Sequence, residues 1–154
     1  REIDEMKEKY LDVLDVVAFE GFHFTHGHLS GHEIVEDRAT DSYIIFANLL
    51  WSFRPTYYEL VFPLWVDLMG ICDIHVTRED LYTRIERWIR LWREIEPVDL
   101  NEKQIFWFSM LERSMMTVML DLGSSEWKES EVKEKQALLI AWKELFYWIL
   151  EEKF

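Results

Sequence analysis

One cysteine, three prolines and five glycines in 154 residues leave this chain poorly equipped to be a stapled, loop-rich or disordered protein. A lone Cys72 excludes an intramolecular disulfide. That fits a reducing compartment, and the expected location is cytoplasmic. With 49% hydrophobic residues and so few breakers, a low-complexity chain is excluded as well. Positive charge is also scarce. Seventeen Lys and Arg face 30 Asp and Glu, for a formal charge of −13. Such a surface repels phosphate backbones and anionic bilayers, so the expectation is no nucleic-acid partner and no membrane. No uncharged apolar run approaches the ~18 residues of a membrane span. The longest candidate, Ile105 to Leu122, is broken by Glu112, Arg113 and Asp121. No signal-peptide pattern stands at the start. There is no P-loop, GxGxxG, GxSxG, HExxH or paired CxxC, so neither nucleotide phosphates nor an acyl substrate find a familiar cradle.

What is abundant is aromatic: eight Trp, ten Phe and six Tyr. Most keep helical spacing, which predicts a core of large side chains. The load exceeds what one core of this size hides, so an apolar surface and self-association are expected too.

The periodicity predicts an all-α protein, a single domain over 1–154, built as a bundle or array of five to six helices. Ile3, Met6, Tyr10, Val13, Leu14 and Val17 give a first helix from Glu2 to Phe19. Phe22, Phe24 and Thr25 interleave with His23 and His26, allowing a short extended stretch. Ser30 and Glu33 then stand in capping-box relation. Val35, Ala39, Ser42, Phe46, Leu49, Leu50 and Phe53 predict a long helix, or two if Thr40-Asp41-Ser42 restarts it. The central helices are expected over 55–74, kinked or divided at Pro63, and over 100–122, capped by Gly123. Between them Thr77-Arg78-Glu79-Asp80 starts a helix carrying Leu81, Ile85, Trp88, Ile89, Trp92 and Ile95. The last helix carries Leu138, Trp142, Leu145, Phe146 and Ile149.

Four of the five histidines, His23, His26, His28 and His32, fall within ten residues that also hold Gly27 and Gly31. Histidine is the commonest metal ligand, and these four are the candidate metal ligands, with zinc as a fitting divalent transition metal. His23/His26 and His28/His32 have helical i, i+3 and i, i+4 spacing, with Glu20, Glu33, Glu36 and Asp37 as further donors. A helix that starts at Ser30 would break the second pair. The competing expectation is an ordinary polar turn. Cys72 and His75, i and i+3, are a weaker candidate for a shared metal or a nucleophile–base pair. Glu59 and Asp67 stand in the most apolar helix, where a carboxylate must be paired or protonated, unless that edge is exposed. Asp12 and Asp15 raise the same question on the first helix. Met110, Met115, Met116 and Met119 are expected in the core.

Two functional classes fit these residues. One is an acidic protein-interaction or self-associating module, a homo-oligomer or a binder of another protein. The other is a small metalloprotein using the His23–His32 segment, with or without a catalysed reaction. The first is preferred because it requires no motif.

Overall fold

The structure, a computed structural model, describes residues 2–19, 21–26, 34–45, 52–123 and 126–154. Five α-helices make up most of it. They are α1 (Glu2–Leu14), α2 (Val61–Met69), α3 (Arg78–Ile95), α4 (Gln104–Met116) and α5 (Val132–Lys153). Four short strands also form: β1 (His23–Thr25), β2 (Ile34–Asp37), β3 (Ser42–Ile45) and β4 (Ser52–Arg54). The protein is therefore mostly helical rather than all-α.

Four of the helices follow their apolar periodicity. α3 starts where the capping residues stand: the Thr77 hydroxyl accepts the Asp80 N–H, and the Asp80 carboxylate accepts the Thr77 N–H at 2.8 Å. The Thr77 hydroxyl holds the Asp80 carboxyl below its usual range. Leu81, Ile85 and Ile89 form the buried face of α3. α5 buries Leu138, Trp142, Leu145, Phe146 and Ile149 against α3 and α4. α4 is closed off nearly all round, from Phe106 to Leu111, and Met110 and Met115 belong to the core. It runs into a π-helical segment, Thr117–Leu122. Gly123 ends that segment with φ −74°, not in the left-handed conformation of a usual glycine cap. It is glycine because a Cβ there would overlap the carbonyl oxygen of Val118. α1 is shorter than its spacing predicts, stopping at Leu14, although Val17 and Phe19 still pack on the core. Asp12 and Asp15 lie on its exposed side.

The fifth, α2, is shorter than expected at both ends. Pro63 is its third residue, inside the first turn. N–H groups of a first turn have no intrahelical acceptor, so the ring costs no hydrogen bond and produces no kink. Residues 56–60 form turns instead, and α2 stops before Gly70.

The expected helix over Val35 to Phe53 is not formed where the chain is described. β1 pairs antiparallel with β4 in the register His23↔Arg54, Phe24↔Phe53 and Thr25↔Ser52. Within that span β2 pairs with β3, with Ile34↔Ile45, Val35↔Ile44, Glu36↔Tyr43 and Asp37↔Ser42. The physical reason is local. Ile34, Val35, Tyr43, Ile44 and Ile45 are β-branched or aromatic, stiff at χ1 in a helix and at ease on a pleated surface. Between them the Asp37 carboxylate accepts the Ala39 N–H at 3.0 Å and the Thr40 hydroxyl at 2.6 Å, and Asp41 takes φ 51°. Such side-chain bonds and a left-handed Asp specify a turn. The predicted Ser30–Glu33 capping box lies outside the described residues. No helix among the described residues is long and apolar enough to cross a membrane.

Candidate functional site

The four histidines do not emerge as one cluster. His23 opens β1, exposed, facing Arg54 across the ladder. His26 follows the strand, half-buried and engaged within the protein. In extended chain, side chains alternate faces, so the helical i, i+3 alignment of these two is lost. His28 and His32 lie outside the described residues, as do Glu20 and Glu33. Among the described residues no three His, Cys, Asp or Glu side chains converge to hold a metal ion.

The other polar candidates also separate. Cys72 and His75 fall beyond α2 in an exposed connection rather than on one helical face. The His75 N–H instead donates to Asp73 at 2.8 Å. Asp67 is on an exposed edge and pairs with Arg84 at 3.4 Å. Glu59 sits in the turn before α2 rather than within the helix.

A carboxylate that the sequence marks only as an interruption is half-buried and meets two tyrosines. Glu112, on α4, accepts the Tyr10 hydroxyl at 3.1 Å, and its other oxygen accepts the Tyr58 hydroxyl. Burial, then the Glu112 charge, raise both tyrosines above their ordinary range. Tyr10 comes from α1 and Tyr58 from the turn before α2, so three parts of the chain meet on one carboxylate. The Ser109 hydroxyl adds a bond to the Tyr58 carbonyl at 3.0 Å. Arg54, the last residue of β4, lies over the Tyr58 ring at 5.4 Å.

This arrangement anchors the root of the β segment. Gly21 has φ 62°, and a Cβ there would stand 2.6 Å from the Thr56 hydroxyl. The Thr56 N–H donates to the Gly21 carbonyl at 3.1 Å, and its hydroxyl donates to the same oxygen. Tyr57 has φ 71°, a conformation that costs a bulky residue on the order of 1–3 kcal/mol. Its ring is covered by Lys103 at 5.6 Å.

Beyond the root, the surface changes character. No described residue from Gly21 to Arg54 is buried. Opposite residues of an antiparallel ladder share a face. One face of the β2–β3 hairpin therefore carries Ile34, Ile45 and Tyr43 with Glu36, and the other carries Val35 and Ile44 with Asp37. All five apolar residues are exposed, Tyr43 to 73%. On the β1–β4 ladder Phe24 and Phe53 meet edge to face at 5.7 Å, and both are exposed.

A concavity of about 640 Å³ lies where α1, the start of α3 and α5 meet, with Trp148 and Tyr147 in its wall. Its charges are partly paired among themselves, Lys143 with Glu2 at 2.7 Å and Arg78 with Glu79 at 2.7 Å. None of the described histidines lines it.

No protein-family model, no curated protein and no solved structure matches this chain.

Proposed function

We propose that this chain is a protein-interaction module that self-associates through its β2–β3 hairpin. The observation that carries the reading is the two-sided exposure of Ile34, Val35, Tyr43, Ile44 and Ile45. A half-buried hairpin alternates apolar and polar faces, whereas this one is apolar on both. A two-stranded ribbon is marginal on its own in water, and further packing or pairing is what secures it. Its free edges offer backbone N–H and C=O groups for that purpose. The excess of acid elsewhere keeps a surface with such a patch from collapsing without selectivity.

Sedimentation equilibrium over a concentration series tests the reading. The wild-type chain is expected to form a dimer or higher species. Ile44→Asp with Tyr43→Asp, both at exposed positions, is expected to leave the helical circular dichroism unchanged and the chain monomeric. A wild-type chain that stays monomeric at high concentration overturns the proposal.

A further inference from the structure

If the hairpin is an interface, something must receive it, and the helical body offers a surface of matching chemistry. On α3, Arg87, Leu91 and Ile95 are spaced four apart and form a row along the helix. All three are exposed, with Leu91 at 47% and Ile95 at 79%. The row flanks the buried stripe of Leu81, Ile85 and Ile89. Arg84 pairs with Asp67 and Arg93 with Asp99, whereas Arg87 and Arg90 form no ion pair among the described residues. In a chain of net charge −13 this is basic and apolar at once, the complement of a hairpin bearing Glu36, Asp37 and Asp41 beside its isoleucines. Asp37 is held below its usual carboxylate range by the Thr40 hydroxyl and so stays ionised.

Dimensions agree as well as charge. Two residues along a strand advance roughly 6.5 Å, and one i, i+4 step along a helix advances roughly 6 Å. The step from Ile34 and Ile45 to Glu36 and Tyr43 therefore matches the step from Leu91 to Arg87, with Ile95 extending the apolar end of the row. Glu36 already pairs with Arg38 at 3.1 Å, but both are exposed and such a pair is readily exchanged.

We infer that the receiver of the hairpin is α3 of a second copy of this chain, with Ile34, Ile45 and Tyr43 on Leu91 and Ile95, and Glu36 on Arg87. This rests on the self-association proposed above. In a two-fold dimer each copy gives one hairpin and receives one.

The experiment is complementation, read by sedimentation equilibrium with circular dichroism as a check on folding. The hairpin variant is Ile45→Asp and the receiver variant is Leu91→Asp with Ile95→Asp. All three positions are exposed, so the core is untouched. Each variant alone is expected to associate at least ~100-fold more weakly than wild type, the scale of losing an interface anchor. Their equimolar mixture is expected to form a heterodimer, because the intact hairpin of one variant meets the intact α3 of the other. A second pair tests the polar contact. Arg87→Glu is expected to weaken association about tenfold, and Glu36→Arg in the same chain to restore it. A wild type that never associates overturns both the inference and the reading beneath it. A wild type whose association is lost in the hairpin variant but kept in the receiver variant overturns the inference alone. So does a mixture that fails to complement.

Discussion

Trp107 and Trp142 are fully enclosed in the helical body, whereas Tyr43 is 73% and Phe53 70% exposed in the β segment. Every described tryptophan is at least half-buried, while among the described residues four of the five exposed aromatics, Phe22, Phe24, Tyr43 and Phe53, belong to the β segment. The two regions thus use large apolar side chains to different ends. In the body they are consumed by close packing, with Trp107 and Trp148 at 5.8 Å and Tyr82 and Trp148 at 4.5 Å. In the β segment they remain available. A residue count cannot distinguish these uses, since exposure belongs to a position and not to a residue type.

The comparison is broken most forcefully in the body. Trp142→Ala should cost ~3–5 kcal/mol by chemical denaturation, as large-to-small changes in a packed core do. A loss below ~1 kcal/mol would mean that this core is far looser than its burial indicates. At the junction of the two regions, Tyr58→Phe removes a hydrogen bond to a carboxylate and should cost about 1.5–3 kcal/mol.

The same bond has a pH signature. An unfolded tyrosine titrates near 10.0, and Tyr10 and Tyr58 both titrate higher when folded. The folded chain therefore holds protons that the unfolded chain releases. The stabilisation is intact below pH 10 and declines as pH climbs beyond it. Ultraviolet titration of phenolate should show the Tyr10 and Tyr58 fraction ionising only as the fold opens. Early ionisation in the Tyr58→Phe variant alone would assign the effect to this cluster.

Gly123→Ala should cost about 1–3 kcal/mol, since the added Cβ meets the Val118 carbonyl oxygen and the chain must shift. Tyr43→Ala sharpens the contrast from the other side. At concentrations where the chain is monomeric it should change unfolding free energy by less than ~0.5 kcal/mol, while weakening association at higher concentration. The smallest expected effect is from metal. Adding zinc or a chelator should leave sedimentation unchanged if apolar burial drives association. Stoichiometric zinc in protein purified without a tag, released as pH falls below ~6.5, would instead assign the segment to His23, His26, His28 and His32.

Much of the helical body was legible in the residues. Thr77 and Asp80 announced α3, and Leu138, Trp142, Leu145, Phe146 and Ile149 announced the face of α5, because caps and 3.6-residue periodicity act over a few neighbours. The extended stretch around Phe24 was legible too, whereas the spacing over Val35 to Phe53 predicts helix where the described residues form strands. Val35, Ala39, Ser42 and Phe46 fit a helical template loosely, and that spacing masked a hairpin signal in Ile34-Val35 and Tyr43-Ile44-Ile45 around Thr40-Asp41. Pro63 predicts a kink or a division in a helix over 55–74, yet a first-turn proline is compatible with a helix beginning at Val61.

Residue types and their local spacing decide the acidic charge, most of the helical elements, the start of α3 and most of the apolar faces. Tertiary structure alone brought Tyr10 and Tyr58 onto Glu112 across separations of 102 and 54 residues, and left the hairpin's isoleucines uncovered. No local rule reaches so far along a chain. Whether a side chain is enclosed depends on which distant segment arrives to cover it, and for Ile34, Tyr43, Ile44 and Ile45 none of the described segments does.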